Sequence, residues 1–316
     1  MQMQGRSAVT GAFGFTGKYI AARLLAQGEQ VINITDSPRR PNPFGSRIVT
    51  TPFHFNDPGK LVYALRGVSV LYNTYWVRFN SRATTHEEAV RNTQTLFLAA
   101  QAAGVRRIVH ISITHADESS SSSYFRQKAR LERMLTEQGI SHAILRPACI
   151  FGEEDILINN MAWSLRRLPL FGLFGRGDYT LQPIFVDDLA ALAIAQGAGT
   201  ENTCVDAIGP ETLTYCALVR LIGQAIGCPR RMIRVPPALG YAVTRLLGWM
   251  LRDRMMTWDE LKNMMANQLS VEGATPVGTT RLSEWIYAHA DQLGLRYASE
   301  WARRRDRSRD YRKTAL

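Results

Sequence analysis

Cysteine is scarce in this sequence and widely spaced. Its four copies, Cys149, Cys204, Cys216 and Cys228, form no CxxC pair, which excludes a zinc ribbon and offers no disulfide framework. They are expected to be buried as small apolar side chains in a reducing, cytoplasmic compartment. Histidine is also sparse, and its six copies show no HExxH or other paired spacing, so no metal site is expected. Long apolar runs are missing too. Arg245 and Arg252 interrupt the most apolar late segment, Pro237 to Met256, which is too broken for a membrane span. That segment reads as a core-packing helix, with a helix lying on a membrane surface as the alternative. The start, Met1 to Arg6, is too short and polar for an export signal. There is no internal repeat.

Acidic residues are outnumbered, and the formal charge of the 316 residues is +11. Seven Lys or Arg against two Asp fall in the tail Trp301 to Leu316. Such a tail favours an anionic partner, either a phospholipid surface at the inner face of a membrane or a protein complex. Nucleic acid is not indicated, because the tail lacks interleaved aromatics beyond Tyr311.

What is present is a rhythm. Up to about Gly152, short β-rich runs alternate with amphipathic helical ones, the pattern of repeated βαβ units and a parallel sheet. Strands are expected at Ser7 to Thr10, Gln30 to Thr35, Ile48 to Pro52, Val68 to Asn73, Arg107 to Ser112 and His142 to Arg146. Helices are expected at Gly17 to Gln27, Pro58 to Leu65 and His86 to Ala103. The fold class is therefore α/β, a doubly wound parallel sheet over residues 1–152. Residues 153–300 form a smaller substrate-side region, with some strands and helices returning to the core, and residues 301–316 form the basic tail. With 46% hydrophobic residues the chain can bury a large core.

The stretch TGAFGFTG, Thr10 to Gly17, follows a strand and opens a helix, which is the setting of a Rossmann phosphate-binding turn. Gly11 permits the tight turn, Gly14 lets backbone approach a pyrophosphate, and Gly17 lets the helix pack closely. Thr10, Phe13, Phe15 and Thr16 complete the cradle, and the helix N-terminus offers free N–H groups to phosphate. The second strand should end in an acid for the ribose 2′-hydroxyl of NAD or a base for the 2′-phosphate of NADP. Thr35 and Asp36 stand there, with Ser37, Arg39 and Arg40 just beyond. The arginines favour NADP, and Asp36 keeps NAD open.

The GxxGxxG spacing resembles that of extended and atypical short-chain dehydrogenases. The resemblance implies that Asp57 bonds the adenine amino group, that Asn73 and Thr74 lie beside the adenine ribose, and that Asn92 and the Arg146–Pro147 pair belong to the same pattern. In that family a Tyr and a Lys four residues later share one helix face, where the ammonium lowers the phenol pKa. YFRQK, Tyr124 to Lys128, has this spacing. Ser112, with Thr114 as its substitute, would polarise a substrate carbonyl. His110 and His115 flank Ser112 and read as hydrogen-bonded neighbours, and Asp187 and Asp188 read as helix-capping acids.

A narrower resemblance rests on HISITHADESSSSSYFRQKARLE (His110 to Glu132), RPACIFGEED (Arg146 to Asp155), QPIFVDDLA (Gln182 to Ala190), IGPETLTYCALV (Ile208 to Val219) and RDRMMTWDEL (Arg252 to Leu261). In these the chain is similar to the nucleotide-binding accessory subunit of respiratory complex I and its bacterial stand-alone relatives. That implies a tightly held NAD(P)H without implying turnover. Where that subunit has an arginine closing the second strand, this chain has Asp36. Three functions follow as expectations. One is an oxidoreductase for a small apolar carbonyl or hydroxyl compound, with Tyr75, Trp76, Phe79, Phe151 and Trp163 as pocket walls and Arg78 as the charged group. The second is a non-catalytic nucleotide-bound subunit or assembly factor of a membrane complex, docking through the tail and the 237–256 segment. The third, more distant, is a nucleotide-sugar epimerase.

Overall fold

The computed structural model describes residues 5–37, 40–81 and 84–300. The expectations placed on Arg39 and on the tail 301–316 lie outside them. The elements in chain order are β1 (Arg6–Thr10), α1 (Phe15–Ala26), β2 (Gln30–Ile34), β3 (Ile48–Thr51), α2 (Pro58–Leu65), β4 (Val70–Asn73), α3 (His86–Ala102), β5 (Arg107–Ile111), α4 (Ser123–Glu137) and β6 (Ser141–Pro147). They continue with β7 (Cys149–Phe151), α5 (Leu157–Arg167), β8 (Leu170–Phe174), β9 (Thr180–Leu181), β10 (Pro183–Phe185), α6 (Val186–Ala198) and β11 (Thr203–Ala207). The last are β12 (Leu213–Thr214), α7 (Tyr215–Ala225), β13 (Arg231–Val235), α8 (Pro237–Met250), α9 (Trp258–Met265) and α10 (Leu282–Ala288).

The chain divides into two compact units. One runs to Pro147 and takes back Val186–Ala207, and the other holds Ala148–Phe185 and the described residues from Ile208 on. The first boundary thus falls at Pro147 instead of residue 152, and what returns to the first unit is α6 and β11.

The first unit is a seven-stranded parallel sheet in the order β11-β6-β5-β4-β1-β2-β3. The central strands are apolar on both faces, as a sheet covered on both sides requires. From β1 the chain goes first to β2 and β3 on one side, then to β4, β5 and β6 on the other. The C-terminal ends of β1 and β4 therefore flank the topological switch point, where open α/β sheets bind ligands. Helix α3 packs with α2 and α4, and α1 packs with α6. The Arg23 guanidinium donates to both oxygens of Asp187 at 2.7 and 2.8 Å, so Asp187 serves the α1–α6 pair.

Strand β11 was not expected, because TCVDA is too polar to read as a strand on its own. It joins the sheet because Arg107, at the start of β5, is fully buried. Its guanidinium donates to the carbonyls of Gln196 and Glu201 and to the Ser141 hydroxyl, which fixes the chain just before β11. At this sheet edge Cys204 is exposed, contrary to the burial expected of every cysteine.

The second unit packs α5, α7, α9 and α10 around an apolar cluster. Phe151 is fully buried against Phe185 and Trp285, and Trp163 packs on Tyr297. Both expected pocket walls are thus engaged inside this unit. The core-packing expectation for 237–256 holds only in part, through Tyr241 and Met256, which pack against the apolar cluster. Helix α8 buries only Gly240 and Gly248, while Leu239, Val243, Leu246, Trp249 and Met250 are between 47% and 77% exposed.

Candidate functional site

The glycine turn is built by steric need. Gly11 has φ of +65° and donates its N–H to the Ile34 carbonyl at 2.9 Å. A Cβ on Gly17 would lie 2.2 Å from the Gly11 carbonyl oxygen, and one on Gly14 would lie 3.1 Å from the same atom. Gly17 is therefore required by the turn itself, beyond the helix packing expected of it. Asn33 holds the turn from below, its side-chain oxygen accepting from the Ala12 N–H at 2.8 Å. Its signal was legible as the lone polar side chain amid the apolar run of β2, yet it was missed.

Helix α1 starts at Gly14 with no side-chain cap and no acid in its first turn. Helices α2, α3, α7 and α9 are instead capped by Asp57, Thr85, Thr214 and Thr257. An uncapped N-terminus behind a glycine turn with room at Gly11, where a Cβ would meet nothing nearer than Thr74 Oγ1 at 3.8 Å, fits a dinucleotide phosphate. Phe13 is buried and lies 6.4 Å from the Phe44 ring, Phe15 packs edge-on to Tyr19, and Thr16 is half-buried. Past β2, Thr35 Oγ1 accepts from the Ser37 N–H, Asp36 is exposed, and the Arg40 guanidinium reaches the Phe13 carbonyl at 3.5 Å. The loop thus brings one of the two arginines back to the glycine turn.

Three residues expected in the cofactor site, Asn73, Asp57 and Asn92, are turned to other partners. Asn73 is fully buried; its oxygen accepts from Thr10 Oγ1 and the Tyr75 N–H, and its amide donates to His110 Nδ1 at 3.0 Å. Burial holds His110 well below its usual pKa, with Lys128 adding to the effect, so the ring is neutral with its proton on Nε2. Asp57 caps α2 through the Lys60 N–H and pairs with the Lys60 ammonium at 3.1 Å, which lowers its pKa. Asn92 donates to the Tyr75 hydroxyl at 3.0 Å, and Tyr75 packs on Phe53 and Phe55. Thr74 does stand at the switch point, its hydroxyl donating to the Thr10 carbonyl.

Tyr124 and Lys128 lie one turn apart on α4, as their spacing predicts. Lys128 is 3% exposed. Its ammonium donates to the Ile111 carbonyl at 2.7 Å and sits 4.6 Å from the centre of the Trp76 ring. Burial pulls its pKa down to about 7 against the opposing pull of Glu132. Trp76 stacks on His86, and both meet Tyr124 edge-on with ring centres 5.7 Å away. Trp76 was expected as a pocket wall, whereas His86 was not singled out, and only the packing of α3 beside α4 brings it here.

Ser112 is differently placed from the expectation. Its hydroxyl donates to Glu132 at 2.5 Å, and Glu132 also takes the Arg146 guanidinium through both oxygens. The group expected to polarise a carbonyl is thus part of a closed buried network tying β5, α4 and β6. Thr114 is fully buried, and its N–H donates to the Pro147 carbonyl at 3.2 Å.

A doubly wound parallel sheet carrying a glycine turn and an uncapped helix at its switch point defines a dinucleotide-binding protein. Residues 11–158 match the protein family described as NAD(P)H-binding, and the fold of the first unit is Rossmann-like. It is 26% identical over 251 residues to the mitochondrial NADH dehydrogenase (ubiquinone) 1 alpha subcomplex subunit 9 of Arabidopsis thaliana. That match covers 73% of this chain and 62% of the plant protein. Among solved structures, a triphenylmethane reductase from Citrobacter sp., complexed with NADP(H), has a TM-score of 0.74 at 18% identity, covering 90% of this chain and 99% of that one. An NADPH-dependent quinone oxidoreductase from Escherichia coli, complexed with NADPH, has a TM-score of 0.71 at 22% identity, covering 89% and 99%. The structural likenesses concern the fold.

Proposed function

We propose that the protein is an NAD(P)H-dependent oxidoreductase, preferring NADPH, that acts on a small apolar carbonyl or hydroxyl compound. The observation that carries this reading is Lys128, buried one helical turn from Tyr124 with its pKa drawn to about 7, on the unit that holds the glycine turn. The backbone of Gly11 to Gly17, with Thr10 and Thr74, forms the phosphate side of the cofactor site. Arg40, already at the Phe13 carbonyl, and Arg39 serve the 2′-phosphate, with Thr35 and Asp36 beside them. Asn73, Asn92 and Asp57 act as positioning residues that hold Thr10, Tyr75 and α2, while Pro147 holds the Thr114 backbone.

NAD(P)H supplies a hydride when bound. Tyr124 gives its phenolic proton to the oxygen of the reduced carbonyl, and the Lys128 ammonium favours the phenolate left behind. The carbonyl-binding role falls to Ser112 or Thr114, the first of which shares its hydroxyl with Glu132. The test is to purify the protein, identify its bound nucleotide and follow its absorbance across carbonyl and sugar-nucleotide panels. Turnover that disappears in Tyr124→Phe while nucleotide stays bound supports the reading.

A second reading, a nucleotide-bound subunit or assembly factor that does not turn over, is favoured by the identity to a respiratory NADH dehydrogenase subunit. A bound nucleotide inert to every compound in both panels, in a protein that co-purifies with a large membrane complex, would select it.

A further inference from the structure

Helix α8 is inverted relative to an ordinary surface helix. Its two fully buried positions are glycines, with Tyr241 half-buried beside them against the apolar cluster: a Cβ on Gly240 would lie 2.7 Å from the Phe174 ring and one on Gly248 2.6 Å from the Asp253 carbonyl oxygen. Five large apolar side chains point the other way. Leu239, Val243, Leu246 and Met250 recur at helical spacing as one stripe, flanked by Trp249, the most exposed at 77%. On a 3.6-residue helix, Arg245 falls on the edge of the stripe beside Trp249, and the exposed Arg252 follows just past the helix end, in a turn with φ of +51°. Neither guanidinium has a hydrogen-bond or ion-pair partner among the described residues.

Along this stretch of the chain the charge has one sign. From Thr212 to Arg252 there is no Asp or Glu, and six arginines. On the same edge a cleft of about 480 Å³ is lined by Arg245 and Arg254, the hydroxyl-bearing Thr244 and Thr257, and Trp249. Asp253 also lines it, but its carboxylate accepts from the Tyr297 hydroxyl at 2.7 Å and from the Glu300 N–H.

We propose that α8 is a lipid-docking helix that lies in the plane of an anionic bilayer surface, with the cleft beside Arg245 receiving a headgroup phosphate. No helix among the described residues is long and apolar enough to cross a membrane, and fourteen residues reach roughly 21 Å, so the stripe lies on the surface. The apolar stripe enters the acyl boundary, Trp249 sits at the headgroup level, and the arginine edge meets lipid phosphates. A second copy of this chain is the weaker occupant, because it would set one arginine-rich edge against another.

The test is flotation of the full chain with vesicles of phosphatidylcholine alone and of equal weights of phosphatidylcholine and phosphatidylglycerol. The expected result is binding to the anionic vesicles, weakened by salt, and none to the neutral ones. Leu246→Glu with Trp249→Glu should reduce it on the order of a hundredfold, and Arg245→Gln with Arg252→Gln roughly thirtyfold. Both variants should keep the parent unfolding midpoint and nucleotide binding, because these side chains are exposed. The tail 301–316 is present in every variant, so flotation that survives loss of the stripe overturns the proposal. Equal binding to neutral vesicles, no binding by the unaltered protein, or self-association dispersed by Leu246→Glu also overturns it.

Discussion

Helices α1 and α8 both begin without a side-chain cap, and both bring glycine to a close contact, yet they put opposite things inside. In α1 the buried set is Gly17, Ile20, Ala21 and Leu24, so the helix contributes to the core while its bare N-terminus faces the switch point. In α8 only glycines are fully buried, and Leu239, Val243, Leu246, Trp249 and Met250 face outward. The difference teaches that a close glycine contact has two uses. At Gly17 it closes the glycine turn on the Gly11 carbonyl, and at Gly240 it lets a helix lie close on the Phe174 ring while five apolar side chains stay exposed.

Substitutions on the nucleotide side should have the largest effects, because single atoms matter most there. Tyr124→Phe is expected to lower turnover about a thousandfold while nucleotide affinity, measured by titration, stays at the parent value. Gly17→Ala forces a Cβ onto the Gly11 carbonyl and should cost roughly 3 kcal/mol. Denaturant unfolding would show this, together with loss of nucleotide binding; an alanine tolerated without either loss would break the contrast with α8.

A smaller effect follows from pH. Lys128 carries its proton below about 7, so if the ammonium assists Tyr124, kcat/KM for reduction should fall as pH rises through that value. In Lys128→Arg, which retains its charge, the falling limb should move to higher pH. Arg40→Ala should then weaken NADPH about tenfold relative to NADH, read by competitive titration of the two. If NADH is the tighter ligand before mutation, the preference for NADPH is wrong.

The smallest expected effect lies on α8. Leu246→Glu should change unfolding stability by less than about 0.5 kcal/mol, whereas Leu218→Ala in α7, fully buried in the same unit, should cost about 2–5 kcal/mol. A large loss in Leu246→Glu would mean that the stripe is covered by the protein itself.

Much of the first unit was legible. The expected strands at residues 7–10, 30–35, 48–52, 68–73, 107–112 and 142–146 all match observed ones to within two residues, because each is an apolar run bounded by turn or cap signals. TGAFGFTG was legible for the same local reason: a glycine at positive φ and a glycine without room for a Cβ are demands of the chain on its near neighbours. Less was legible at the site. The serine expected to face a substrate is held by Glu132, and Asn73 turns inward to Thr10 and His110. A hydroxyl or amide can serve several partners, and spacing along the chain does not choose among them.

Determined by the sequence itself, then, are the sheet class, the glycine turn and the placing of Tyr124 and Lys128 on one helical face, because each depends on repeats of two to four residues. Decided by the tertiary structure are the burial that draws the Lys128 pKa to about 7, the return of β11 beside β6, and the face of α8 left outside. These depend on residues tens of positions apart, such as Arg107 reaching Glu201 and Phe174 meeting Gly240. Whether an apolar side chain ends inside or outside is settled by what packs against the opposite face, and for α8 that includes the Phe174 ring, which leaves no room for a side chain at Gly240.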